Sequence, residues 1–263
     1  MQCLGLAGYI WVEGSKIAGF LFLKTSLTDA SVQRVDQVLI SGLLLVALFG
    51  LRWLSVELLG AVGLLVFLEA IFTTLIGGGF GQDLAFFAHM ARFGWLLLLA
   101  GVLYRDRLGH AKFEPTFLIH GLAGVLGVTF IAHGLEALLQ HPHFIDLIIV
   151  ANRKLLPFPA TEAFASNALV IIGILDIICG VVVLRRPYRW MLGYMVFWGA
   201  MTAWSRFVFA GVAGLPDVLI RTPHWGIPLL ALWLGRQTFR PARKSRPPEP
   251  VAERLDHVAS PTK

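Results

Sequence analysis

Apolar stretches of about twenty residues recur along most of this chain, and about twenty is the number a helix needs to cross roughly 30 Å of hydrocarbon. Runs of that length are the signature of helices that face lipid. Eight segments come close enough to be read as spans: 2–23, 35–52, 54–77, 83–104, 116–140, 162–184, 189–211 and 216–235. Composition agrees. Hydrophobic residues make up 57% of the 263 positions and charged ones only 14%, where a soluble domain averages about 25% charged. The mean hydropathy is +0.73. The expected fold is all-α: a polytopic integral membrane bundle of seven or eight transmembrane helices.

The breaks between segments carry their own signals. Gly77, Gly78, Gly79 and Gly81 end the third segment, and Asp83 caps the fourth. Pro115 opens the fifth, while Pro142, Pro157 and Pro159 bracket a long connection over about residues 141–160. Pro187 divides the sixth from the seventh, and Pro216 with Asp217 begins the eighth. Glu13, Lys16 and Asp36 interrupt the first two segments and make them the least secure. The opening residues have no basic n-region and no small-residue cleavage site, and read as a retained helix.

Charge placement sets the expected topology. The formal charge is +6, but Lys and Arg sit mostly between apolar segments and in the C-terminal tail. That placement argues for anionic headgroups as the partner and against nucleic acid. One side collects Arg52, Arg105, Arg107, Lys112, Arg185, Arg186, Arg189 and the tail from Arg236. The other has only Lys24, Arg34, Arg153 and Lys154. By the positive-inside rule the first side is cytoplasmic, and eight helices put both termini there. The location read from this is a bacterial inner membrane. Trp53, Tyr104, Tyr188, Trp190 and Trp233 fit an interfacial aromatic belt on the same side.

Three regions follow: a first helical half over 1–112, a second over 113–236, and a Pro- and charge-rich tail over 237–263 with too few apolar residues to fold. The halves resemble each other. Leu51-Arg52 recurs as Leu184-Arg185 and Leu59-Gly60 as Leu192-Gly193, both 133 positions on. Asp83 recurs as Asp217, and Glu13-Gly14 with Lys16 match His133-Gly134 with Glu136, 120 on. Such a duplication makes two parallel four-helix repeats.

Ionisable residues inside apolar helices are the main functional signal, since each costs on the order of 2.5–3.5 kcal/mol at mid-membrane on insertion scales. Depth groups eight of them in the outer half: His133, Glu136, Arg206, Arg221 and His224 as the main cluster, with Glu69, His89 and Arg92 as a first-half counterpart. The pairs His89/Arg92, His133/Glu136 and Arg221/His224 are each three apart, side by side on a helix. Arginines would hold an anionic or carbonyl group and histidines would relay protons. The rival reading is an ion-pair network in which Glu13, Glu69 and Glu136 neutralise the arginines. Asp176 also lies inside an apolar helix but joins no cluster.

Cofactor signals are weaker. His133, Glu136, His141 and His143 offer imidazole and carboxylate to zinc or copper, though solvated loop histidines are the plainer reading. His120 and His133 suggest haem, but thirteen residues turn a straight helix by about 220° net and take them off one face. Cys3 and Cys179 read as small buried hydrophobes.

The phrases FIAHGLEALLQHPHFIDLI (130–148) and IIGILDIICGVVVLRRP (171–187) resemble the DoxX-like family of small four-helix membrane proteins. An aromatic-x-x-His-Gly-x-x-x-Leu helix exit and a Gly-x-x-Asp helix ending in basic residues carry the resemblance, over about 116–236 and more faintly 1–104. It implies packed membrane helices and, in some members, association with quinone-linked redox systems, but no universal catalytic residue. Where that family often has Lys after the Gly, this half has Glu136, whereas the first half keeps Gly14-x-Lys16. The expected function is binding of a small polar or quinone-type molecule, as a membrane subunit with a redox partner protein. A small-molecule transporter and a non-catalytic anchor for a partner enzyme are the alternatives.

Overall fold

The computed structural model describes residues 1–50, 55–77, 81–109, 115–156 and 159–238. Arg52, Trp53, Gly78, Gly79, Lys112, Pro157 and the tail beyond 238 lie outside the described residues. Among those described, every regular element is helical. In chain order they are α1 (Gln2–Glu13), α2 (Lys16–Lys24), α3 (Asp29–Phe49), α4 (Val56–Ile76), α5 (Ala85–Ala88), α6 (Met90–Arg107) and α7 (Pro115–Leu138). There follow α8 (Pro142–Leu155), α9 (Glu162–Arg185), α10 (Arg189–Ala210), α11 (Leu215–Ile220) and α12 (Thr222–Thr238). Seven helical stretches are long and apolar enough to cross a membrane. Their outward faces are apolar: Val38 and Leu48 are each 71% exposed, and Ile171, Ile174 and Ile178 line up on α9. A soluble monomer rarely shows such surface, whereas a bilayer is its natural solvent.

Three expected spans are broken. The first divides at Gly14, whose φ of 75° is the left-handed value glycine adopts at least cost, giving α1 and α2. The fourth divides at His89 into α5 and α6, and the eighth at Arg221 into α11 and α12. The third and seventh spans end alike, with φ of 63° at both Gly77 and Gly211. A short 3-10 turn follows each, at Gln82–Leu84 and Gly211–Gly214. The breaks make His89 the counterpart of Arg221, and Arg92 that of His224, each 132 positions on.

One element was not expected. The connection over about 141–160 is not a plain loop, because residues 142–155 form α8. His141 caps its start by accepting from the His143 N–H, and Pro142 occupies the first turn, where its missing N–H costs nothing. Leu147 is buried while Asp146, Arg153 and Lys154 are exposed or partly so, an amphipathic pattern too short to span. Lys154 Nζ donates to the Val208 and Phe209 carbonyls at 2.7 and 3.0 Å, tying α8 to the end of α10.

The core forms two apolar clusters that interlock. One draws on α7, α9, α10 and α12 but includes Ala91 of α6; the other draws on α1, α3, α4 and α6 but includes Ile220 of α11. The short pieces α5 and α11 each pack on the first helix of the opposite half, α7 and α1 respectively. Gly5 and Gly8 of α1 give α11 its room, facing Leu219 and Pro216.

The α7–α9 pair is the most closely packed. A Cβ at Gly134 would stand 2.7 Å from the Gly173 carbonyl oxygen, and one at Gly180 would stand 2.6 Å from that of Gly127. These glycines repeat every seven residues on both helices, so the backbones touch along two full turns. Gly134→Leu or Gly173→Leu should therefore lower the thermal unfolding midpoint of the detergent-solubilised protein, by the ~1–3 kcal/mol or more that overpacking costs. Gly124→Leu on the same helix enters open space and should leave the midpoint unchanged.

Candidate functional site

The spans pack in pairs, α1 on α3, α4 on α6, α7 on α9 and α10 on α12, and the connections after α4 and α7 share one end of the bundle. At that end, a Cβ on Gly81 would meet the His141 ring at 3.1 Å and Glu136 at 3.7 Å, so the two halves touch there.

Seven of the eight predicted residues converge near this seam. Glu136 Oε2 lies 2.8 Å from His133 Nδ1, and His133 Nε2 lies 3.3 Å from His224 Nε2. His224 Nδ1 is 3.2 Å from the Arg221 carbonyl oxygen. His89 is within electrostatic range of Arg92, Arg221 and His133, and Arg206 within range of Arg221, Arg92 and Glu136.

The Arg221 carbonyl only accepts, so His224 donates to it from Nδ1. Glu136 is hydrogen-bonded to His133, and His133 in turn meets His224.

That leaves the arginines. Arg92 and Arg206 are buried, at 8% and 7% exposure, and Arg221 is half-buried. Among the described residues, ion pairs within 4 Å join only Arg107 to Glu57 and His133 to Glu136. Arg206 donates to the Thr202 carbonyl and the Ser205 hydroxyl and lies over the Phe144 ring, 5.9 Å from its centroid. The Nε atoms of Arg92, Arg206 and Arg221 have no partner. Asp217 and Glu136 are in electrostatic range of all three, two carboxylates against three guanidiniums. Arg206 and Arg221 also act on His143 of α8, whose pKa is held below its ordinary value first by desolvation and then by their positive field.

Glu69 is the exception. Its carboxylate accepts from Ser15 Oγ at 2.5 Å and from the Lys16 N–H at 2.9 Å. Ser15 in turn caps α2, and the Ser15 N–H donates to Asp36 at 3.1 Å. The break at Gly14 frees N–H groups that lipid cannot satisfy, and Glu69 and Asp36 satisfy them. Glu13, expected to neutralise an arginine, is exposed.

A cavity of ≈ 370 Å³ opens beside the cluster, between α7, α8, α9, α10 and the α11–α12 break. His133, Arg206, Arg221 and His224 line it; Glu136, Glu69, His89 and Arg92 do not. Its walls include Phe130, Phe144, Leu147, Trp198 and Trp204. Asp176, an ionisable residue of an apolar helix outside the predicted cluster, lines it too, as do Trp198, Thr202 and Ser205, which nothing but position in an apolar helix distinguishes in the sequence. The haem and metal signals separate in space. His120 is exposed beside the Thr116 carbonyl, roughly 20 Å along α7 from His133. His141 stacks on Phe144 and His143 meets Phe209 edge-on. Among the described residues no three His, Cys, Asp or Glu side chains are grouped to hold a metal.

Comparison with family models, curated proteins and solved structures finds no match.

Glu69→Ala should strip two hydrogen bonds from a buried helix start and cost ~1–3 kcal/mol. Thermal unfolding should report the loss. Binding of a short-chain quinone analogue, measured on the same variant, should match the parent protein.

Proposed function

We propose that this integral membrane protein binds a small molecule with an apolar, ring-bearing body and an anionic or carbonyl oxygen, quinones being one such class. The head would be held by Arg206 and Arg221, and the histidine pair would exchange a proton with it. What carries this reading is the excess of buried positive charge beside an apolar cavity. Three guanidiniums with unpartnered Nε groups have two carboxylates in range, Asp217 and Glu136, and among the described residues form an ion pair within 4 Å with neither. Burying unpaired charge costs several kcal/mol per ion, and an anionic or strongly dipolar ligand removes that cost. The mixture of aromatic walls and few polar groups is what small-molecule sites have in common. The DoxX-like resemblance, with its quinone-linked associations, supports the same class and the role of a membrane subunit of a redox system.

Transport is the second reading. Helices broken at His89 and Arg221, at matching places in the two halves, resemble the discontinuous helices around transporter binding sites. Uptake of ligand into proteoliposomes without redox change would favour it.

Trp198 and Trp204 line the cavity, so quenching of tryptophan fluorescence reports occupancy. Arg221→Ala and His133→Ala should each weaken a short-chain quinone analogue about 10–100-fold, the range for a hydrogen bond to a charged group. Unchanged affinity in both variants would remove the proposed site.

A further inference from the structure

The cavity has a second polar end. Asp176 is 6% exposed and lines the cavity, and its Oδ1 has no hydrogen-bond partner. Trp198, on the facing helix α10, is the side chain within hydrogen-bonding reach of its carboxyl. Asp176 lies fourteen residues into α9, roughly 21 Å along the axis from the end that starts at Glu162. Arg206 lies only four residues from the end of α10, roughly 6 Å. Along α10, from Trp198 to Arg206, the rise is roughly 12 Å. Phe130 and Leu169 are among the apolar side chains that line the cavity with them.

A buried polar atom without a partner is rare, because leaving it unpaired costs as much as losing a hydrogen bond outright. Water is a poor tenant for so apolar a chamber, since it needs two to four polar partners. A ligand held at the arginines and long enough to reach α9 would bring its far end to Asp176. A hydroxyl suits that end in either protonation state of the carboxyl, because it both donates and accepts.

Resting on the function proposed above, we propose that the ligand is two-headed: an aromatic molecule with an acidic or carbonyl oxygen at the Arg206/Arg221 end and a hydroxyl at the Asp176 end. Hydroquinones and hydroxyaryl acids form this class. Asp176 reads the hydroxyl, and the arginines hold the other oxygen.

The test compares 3-(4-hydroxyphenyl)propionate with 3-phenylpropionate, which keeps the acid and the ring but lacks the hydroxyl. Binding of both to the full chain in nanodiscs is followed by calorimetry and by tryptophan quenching. The parent protein should prefer the hydroxyl compound at least tenfold. Asp176→Leu should bring the two within about threefold, and Asp176→Asn, which still donates and accepts, should restore the preference. Arg221→Ala should weaken both compounds alike. Equal binding of the two by the parent protein would overturn the Asp176 assignment and leave the arginine end standing, and this comparison needs no variant to fold. A preference that survives in Asp176→Leu would overturn it as well. Failure of the parent protein to bind either compound would remove the cavity reading itself, and this inference with it.

Discussion

Inside hydrocarbon no backbone group can turn to water, so an interrupted helix must find partners for its freed ends within the protein. The three broken spans meet this constraint in different ways. At Gly14, two carboxylates from α3 and α4 take the N–H groups that open α2. At His89, the Ala91 N–H donates to Thr129 of α7, whose hydroxyl passes its own hydrogen to Val125. At Arg221, the His224 ring and main chain both close on the Arg221 carbonyl, and Thr222 closes on Leu219. The last two breaks sit where each half leans on the other, so the polar residues needed to mend them are also brought to one seam.

The electrostatics of that seam depend on where the carboxylates go. An arrangement that paired Glu69 and Glu136 with arginines would be a neutral pin between helices. Instead Glu69 is held by a helix start and Glu136 by an imidazole. Guanidinium groups stay charged at any pH a protein tolerates, so the remaining charge cannot be relieved by deprotonation. Asp217 is the other carboxylate within range of it.

Much of this fold could be read from residue order, because a membrane span announces itself through length and apolarity together. The expected limits of the sixth and seventh spans, 162–184 and 189–211, lie within a residue of α9 and α10. Helix α8 escaped notice because an interfacial helix needs only one apolar stripe, which Leu147 and its neighbours supply inside a stretch flanked by prolines. The break at His89 escaped notice because nothing in Phe-Ala-His-Met marks a kink, and Thr129, forty residues on, is part of what makes it tolerable; the break at Arg221 did have a marker, Pro223 in the first turn of α12. For the polar cluster, depth and i,i+3 spacing located His133, Glu136, Arg221 and His224 correctly relative to one another. Depth alone misjudged Glu69, since it reports how far a residue lies along a helix and not which neighbour claims it. Asp176 failed the same criterion from the opposite side, being deeper than the rest yet opening into the same chamber.

The glycine contacts between α7 and α9 have a mechanical consequence. Where glycine faces glycine the two backbones are in contact, so the helices cannot slide or roll without colliding there, and they move as one plate. His133 projects from one member of that plate and Asp176 from the other, both toward the cavity. Their separation is therefore a fixed gauge. Any change in the chamber's width has to come from its other walls, among them α8 and α10, which the Lys154 contacts bind together at one end.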